Sequence, residues 1–580
     1  MPLINKIEVS KGIFWVEIPE VKLYILCGCP ADSVKHLMKR GLILNKEIKG
    51  VSYESGPNAI LLSDVMLQNG NFSNMAEFPV LQMLYRQGMI LPNHPNNTGI
   101  KPLLIGTSEQ VESQMQYIYI GNYGLVSEEE IMQSGISRQK AKEMMRLKLK
   151  FAFGTIHDSK DFLDSCIVNG NNGEIRDGVF IKRLKLNLFE ITYKDETTQI
   201  DLNLKPSENY ESPYRLGFYN IKREYFSIIH SGQGDGWDIH RPSMSSILIY
   251  QGKIYLIDAG PNIAYTLTAL GIGINEIEGI FHTHAHDDHF AGITTLIRAD
   301  HKIKYFATPL VRNSVIKKLS ALLLMEEKQF NDFFEIHDLV FDEYNNINGL
   351  EVKPIFSPHP VETSIFIFKA LGRDGYKTYA HFADIVSLKI LKNMITNKMN
   401  ELGVSKDFYK KVKNEYLQNV DLKKIDIGGG LIHGNAEDFK YDNSSKIVLA
   451  HTSHELTRRE KEIGSGAQFG AVDVLIPIKR DYQWRYAYNF LKAYFPNTPE
   501  NQIKILLNND IVTFNPDTIL IKEGAIHDNI YLILTGTIEV IQTKLNLYNL
   551  ISAGSIIGEI SGLISIHLKR LIEHLVMFKF

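Results

Sequence analysis

The chain has 580 residues, with 63 Lys plus Arg against 66 Asp plus Glu and a formal charge of −3. A balance this close to neutral argues against bulk electrostatic binding to nucleic acid or an anionic membrane. With 44% hydrophobic and 22% charged residues the composition is globular, neither disordered nor fibrous.

The length corresponds to about three or four domains. No apolar run approaches the ~20 residues that span a bilayer. The N-terminal stretch breaks its apolar residues with charges, unlike a secretory h-region. Cys27, Cys29 and Cys166 are too few for a disulfide framework and fit a reducing cytosol. The expectation is a soluble, cytoplasmic, multidomain protein.

In chain order, residues 1–215 mix strand-like runs (Tyr24–Cys27, Ala59–Leu62, Lys101–Ile105) with helical stretches. Ser127 and Glu130 have capping-box spacing at one helix start, and a second helix follows Ser137 through Lys140 to Lys150. The pair superficially suggests a helix-turn-helix, but without a basic domain charge or dimer logic the two are read as packing helices. Cys27-Gly28-Cys29-Pro30 has no further metal donors nearby, so its thiols are expected to be buried and structural. Asp195–Pro213 is polar, carries two prolines and reads as a loop or boundary. This α/β N-terminal domain has no role assignable from its residues.

Residues 216–475 alternate short β-rich runs with helical patterns, an α/β organisation with a buried core. Ser246–Tyr250 and Ile254–Ile257 flank Gln251-Gly252, a hairpin signal. A helical stretch near 263–271 and a strand at Ile277–Phe281 follow. Residues 476–580 open as helices interrupted by Pro496 and Pro499 and continue as β-like runs with turns at Asn515-Pro516, Gly524, Gly536 and Gly554. No repeat with a fixed period is evident.

Directly after Phe281 comes His282-Thr283-His284-Ala285-His286-Asp287-Asp288-His289, four histidines and two aspartates in eight residues. Within it His284, His286, Asp288 and His289 form an H-x-H-x-D-H pattern. Imidazole and carboxylate suit zinc, iron or manganese, and a loop leaving a strand can turn successive side chains toward one point. Isolated histidines are usually surface or satisfied core residues; this density does not fit that account.

The pattern resembles the metallo-β-lactamase superfamily, and the resemblance extends across 216–475. Ser245–Ile249 and Tyr255–Gly260 look like its opening hairpin and Asp-x-Gly turn, and Ser357–Pro360 like its third-histidine loop. Ala380–Asp384 looks like its bridging-aspartate position, and Lys446–Ser453 like the strand presenting the last histidine. The resemblance implies an αββα sandwich carrying one or two divalent ions at a sheet edge, zinc first, with manganese or iron as alternatives. It implies His284, His286 and His359 on one ion, Asp288, His289 and His451 on the other, and Asp384 bridging them. A bridging water would then ionise near neutral pH. His454 in place of His451, and His381 beside Asp384, stay open as alternatives; His282 reads as structural and Asp258 as an orienting group.

The superfamily hydrolyses lactams, thioesters, phosphodiesters and lactones, so the fold does not select a reaction. His286 stands where the diiron redox branch has Glu, which disfavours redox chemistry. Gly428-Gly429-Gly430-Leu431-Ile432-His433 resembles the place where phosphodiesterases of this family set a His-Glu pair, but Gly434 follows His433 and the Glu is missing. The glycine run reads either as a close approach to phosphate or as a tight turn. The expected activity is phosphodiester hydrolysis on a small-molecule or nucleotide substrate, with Asp288 and His433 in catalytic roles. The alternatives are a thioester or lactone hydrolase, or a non-catalytic cyclic-nucleotide sensor with a structural metal site.

Ile511–Glu523, Asp528–Val540 and Gly554–Leu563 resemble cyclic-nucleotide-binding domains. That implies a C-terminal β-roll in which Gly558 and Glu559 meet the phosphate and ribose of cAMP or cGMP, with Arg570 near the phosphate-pairing position. Leu571 after Arg570 departs from that family's pattern, and its closing strands are not matched, so the domain reads as incomplete. A regulatory cyclic nucleotide and a homodimer complete the expected partners.

Overall fold

The computed structural model describes residues 2–170, 172–398, 401–479, 482–522, 529–542, 547–558 and 575–579. Two sheets form the centre of the molecule. The first orders its strands as Phe334–Asp338, Ile303–Ala307, Ile277–Phe281, Lys253–Ile257, Ser245–Tyr250, Phe226–Gly232 and Val472–Ile476. The second runs Asn345–Ile347, Leu350–Ser357, Thr363–Gly372, Gly375–Phe382, Leu422–Asp426 and Lys446–Ala450.

Side chains alternate between the two faces of each strand, and here both faces are apolar. Ile228, Leu248, Tyr255, Ile257 and Phe281 of the first sheet meet Val352, Phe366, Phe368 and Tyr379 of the second in a shared core. Phe281 stacks on Phe306 with ring centroids 4.8 Å apart and meets Phe368 edge-on at 4.9 Å. The opposite face of the first sheet (Ile247, Ile249, Leu256) covers helices Ile263–Ala269 and Pro309–Leu323. Ile365, Ile367 and Ile425 of the second cover Leu388–Asn393 and Lys406–Tyr416. The layers are therefore helix, sheet, sheet, helix. The hairpin turns at Gln251 (φ 50°) and Gly252 (φ 80°), the paired left-handed residues of a type I′ turn.

The N-terminal residues repeat half of this architecture. Their six-stranded sheet orders Asn5–Ser10, Ile13–Ile18, Leu23–Cys27, Ala59–Leu61, Leu103–Gly106 and Asp164–Ile167. The first two pairings are antiparallel and the last three parallel. The first central sheet has the same pattern from Phe226–Gly232 to Phe334–Asp338. Four antiparallel strands from Gly173–Arg176 to Glu196–Asp201 follow, as four antiparallel strands follow in the centre.

Hydrogen bonds fix the correspondence. Gly28 N donates to Leu61 O as Asp258 N does to Phe281 O, and Leu62 N to Ile105 O as His282 N does to Phe306 O. Thr107 and Thr308 then cap the equivalent helices Ser108–Tyr123 and Pro309–Leu323. These two helices pack on each other, and the equivalent left-handed caps Asp32 and Asn262 share a 2.8 Å hydrogen bond. The spacing drifts from 230 residues at Gly28/Asp258 to 201 at Thr107/Thr308, so the duplication is one of topology without a fixed period.

The reading of Asp195–Pro213 as a loop is corrected in part: Glu196–Asp201 is a strand paired with Leu188–Tyr193. Its side chains alternate partly buried and exposed, with only Ile200 fully apolar and buried, so it lacks a strong hydrophobic pattern. Helices Glu128–Gln133 and Arg138–Phe151 occur where expected, with Ser127 accepting Glu130 N. Cys27, Cys29 and Cys166 are free and buried.

The C-terminal residues form helices Gln483–Tyr494 and Glu500–Leu506. A sheet of Ile511–Thr513, Leu575–Lys579, Ile530–Thr535 and Ile556–Ile557 follows, with a hairpin of Thr537–Gln542 and Leu547–Ser552. Buried Glu276 joins this region to the sandwich, accepting Gly536 N at 3.0 Å and pairing with Arg223. Gly558 has φ 89°; Glu559 and Arg570 lie outside the described residues. Among the described residues no helix is long and apolar enough to cross a membrane.

Phe281 bridges both sheets at full burial. Phe281→Ala is expected to cost about 3–5 kcal/mol, read as a lower urea midpoint for the sandwich transition.

Candidate metal centre

Three strand ends deliver acids to one place. Asp258 follows Lys253–Ile257, Asp384 follows Gly375–Phe382, and Asp426 closes Leu422–Asp426. The His284–His289 turn leaves Ile277–Phe281 and begins a short helix, Asp287–Phe290. Gly260 lets this turn close: a Cβ there would overlap the Asp288 carbonyl.

Asp384 is the common element. Its Oδ2 faces His284 Nε2 at 3.5 Å and His359 Nε2 at 3.6 Å, while Oδ1 faces His289 Nε2 at 3.2 Å and His451 Nε2 at 3.3 Å. Asp288 Oδ2 lies 3.2 Å from His451 Nε2 and 3.6 Å from His289 Nε2. His286 Nδ1 is 3.3 Å from His359 Nε2. Donor atoms of His284, His286, His359 and Asp384 thus converge, as do those of Asp288, His289 and His451. Every metal ligand expected from the sequence falls in one of these two groups.

The outer contacts aim the rings. Asp258 Oδ2 accepts from His289 Nδ1 at 2.8 Å and from Thr283 Oγ1 at 2.7 Å, which turns His289 Nε2 inward. His359 Nδ1 meets the Ile432 carbonyl at 3.1 Å. His454 is half exposed and bonded to Glu460. His381 is bonded to Tyr379 OH, and His282 to Tyr305 OH. None of these three belongs to either group.

Asp426 is the residue that sequence reasoning passed over. It accepts Gly428 N at 2.7 Å, Gly434 N at 3.0 Å and Ile385 N at 3.1 Å, and faces His433 Nδ1 and His451 Nδ1, each at 3.3 Å. The available signal was an acid ending a strand before three glycines, the placement shared with Asp384 at its strand end. Gly236 of the 232–238 loop lies against Phe78 and Asp288. With Pro30, Ser33 and Lys35 it lines a cavity beside Asp288.

The donor set fits divalent cations. His284 Nε2, His289 Nε2 and Asp384 Oδ1 are buried without hydrogen-bond partners, although buried polar atoms are normally satisfied. Burial and the neighbouring imidazoles His284 and His359 hold His286 well below the ordinary imidazole value, and burial pushes His359 down to about 3. Burial opposes ionisation of Asp384, yet His451, His284 and His289 hold its carboxyl well below the usual range. Neutral rings and an ionised carboxylate are the forms that coordinate metal. Burial likewise disfavours protonated His289 and His451, but the surrounding carboxylates hold both well above the usual value. In that group a proton or a cation must balance the acids.

Comparison with known proteins gives three kinds of similarity. A family model described as "Anti-Pycsar protein Apyc1" matches residues 226–386. The cAMP/cGMP-dependent 3′,5′-cAMP/cGMP phosphodiesterase B of Dictyostelium discoideum is 22% identical over 337 residues, 56% of this chain and 30% of that protein. This chain therefore covers less than a third of that relative. Among solved structures, the metallo-β-lactamase fold protein YhfI from Bacillus subtilis matches 43% of this chain and 99% of its own at 14% identity and TM-score 0.32. A long-form RNase Z from yeast matches 83% of this chain and 72% of its own at 11% identity and TM-score 0.32.

Asp258→Asn keeps the side-chain shape but removes the carboxylate behind His289. It is expected to weaken metal retention about 10–100-fold, measured by competition with a chromogenic chelator.

Proposed function

We propose that the protein is a dinuclear metal-dependent phosphodiesterase acting on nucleotides, with a 3′,5′-cyclic nucleotide as the leading substrate. The observation that carries this reading is Asp384, whose two oxygens face separate donor groups. His284, His286 and His359 would hold one ion, and Asp288, His289 and His451 the second; zinc, manganese or iron suits such N/O donors. Two such ions, when bound, supply an activated water near neutral pH and offset the charge developing on phosphoryl oxygens.

The remaining chemistry falls to the chain. Asp288 borders the cavity beside the centre, where its carboxylate can accept a hydrogen bond from the attacking water. His433 lies 3.6 Å from Asp384 through Nδ1 and is partly exposed, so Nε2 is left for the substrate. Burial disfavours its charged form, but Asp426 and Asp384 hold it above the ordinary imidazole value. It therefore retains a proton to deliver to the leaving oxygen. Asp426 stands in for the glutamate missing after His433, holding the ring from its Nδ1 side.

The Dictyostelium relative is named both as a cyclic-nucleotide phosphodiesterase and as cAMP/cGMP-dependent. The first half of that name supports the choice of substrate. The second supports a regulatory site in the C-terminal unit, 476–580, around Gly558, Glu559 and Arg570. The units 1–215 and 216–475 would then be the partner and the seat of the hydrolase.

The manganese-loaded 580-residue chain should hydrolyse cAMP or cGMP and bis(p-nitrophenyl) phosphate, and Asp384→Ala should abolish both activities. His433→Ala should lower cyclic-nucleotide turnover about 10²–10⁴-fold and spare p-nitrophenyl substrates, whose leaving group needs no proton. Turnover of glutathione thioesters without phosphodiester cleavage would refute the phosphodiesterase reading.

A further inference from the structure

A fully buried lysine ties the metal-bearing turn to the N-terminal half-fold. Lys318 Nζ lies 2.6 Å from Glu77 Oε2 and 2.9 Å from Asp287 Oδ1, and it donates to the Ala285 carbonyl. Its ammonium sits over the rings of Tyr117 at 4.9 Å and Phe290 at 5.2 Å. Tyr117 OH donates to Asp287 Oδ1. Ala285 and Asp287 flank His286, and Asp288 follows directly.

The contacts obey the internal duplication. Glu77 and Asp287 are the first residues of helices Glu77–Leu81 and Asp287–Phe290, which hold corresponding places in the two copies. Tyr117 and Lys318 each stand nine residues after the start of the equivalent helices Ser108–Tyr123 and Pro309–Leu323. Gly121 makes room for the arrangement, since a Cβ there would overlap the Glu77 carboxylate. A second brace reaches the other ligand loop: Glu362, three residues after His359, accepts Leu125 N at 3.0 Å and Lys148 Nζ at 2.7 Å.

The N-terminal copy has no equivalent donor cluster among the described residues. Near the corresponding strand end, Asp64 accepts from Arg183 Nε at 2.8 Å and from Asn187 N at 2.7 Å. A guanidinium balances the acid there.

We infer that the N-terminal half-fold is an internal partner whose Glu77 and Tyr117, acting through Lys318 and Asp287, position the Asp288–His289 turn and thereby the second metal. This inference rests on the dinuclear reading of the site. Tyr117, Glu77 and Lys318 are positioning residues; none reaches the donor groups.

The test is manganese binding to the full chain, by calorimetric titration and by the exchange-coupled EPR signal of a manganese pair. Tyr117→Phe keeps the ring under Lys318 and removes only the hydrogen bond to Asp287. It should weaken the second ion about 10–100-fold and lose the coupled signal, with the first ion's affinity and the melting temperature near wild type. Lys318→Met, which leaves two buried acids facing each other, should lose the second ion altogether; if it does not fold, Tyr117→Phe decides alone. Unchanged binding of both ions in Tyr117→Phe overturns the inference, as does equal weakening of both ions with a lower melting temperature. Fewer than two ions in the wild type overturns the dinuclear reading itself, and this inference with it.

Discussion

Asp288, Asp384 and Asp426 are buried together among histidines, and the structure depends on how their charge is balanced. A carboxylate withdrawn from water costs several kcal/mol unless a counter-charge and hydrogen bonds replace its hydration. Asp426 receives three backbone N–H groups, each within hydrogen-bond distance. Asp384 is instead ringed by imidazole nitrogens. Such a carboxylate is held only by protons on neighbouring histidines or by cations. Unpartnered nitrogens on His284 and His289, each facing a different oxygen of it, favour cations. The strand ends, the Gly260 turn and the carboxylate of Asp258 all serve to keep those nitrogens in place.

The duplicated half-fold packs against the helix and turn beside this centre. Two copies of one topology meet through equivalent helices and equivalent cap residues, the self-complementary contact that a two-fold dimer would use. Within one chain the two sides can diverge. One keeps histidines after the second strand of its parallel run, Ile277–Phe281, whereas the other has Leu62, Ser63 and Asp64 after Ala59–Leu61, with Arg183 as the cation. The shared interface keeps a tyrosine on one side and a lysine on the other, so that Lys318 meets the acids of both copies.

The centre was legible in the sequence because its chemistry is concentrated. Six of the eight residues 282–289 can bind metal or protons, and His359, Asp384 and His451 each follow a strand-like run in a recognisable order. The sandwich was legible because both faces of its central strands are apolar, as in Ser245–Tyr250 and Ile277–Phe281. The duplication was not. It persists as strand order and hydrogen-bond register, while the hairpin Leu67–Gln68 with Asn71–Phe72 and drifting spacing remove any sequence period. Asp426 was missed because its partners, backbone groups of residues 385, 428 and 434, exist only once the strands have assembled. Glu77, Tyr117 and Lys318 are ordinary in sequence and acquire meaning only as a buried group across two copies.

The most direct measurement is anomalous diffraction from crystals of the full chain loaded with manganese or zinc. The account predicts two peaks about 3.5–4 Å apart, one beside His284, His286 and His359, the other beside Asp288, His289 and His451, with Asp384 between them. A single peak, or peaks away from Asp384, would contradict it.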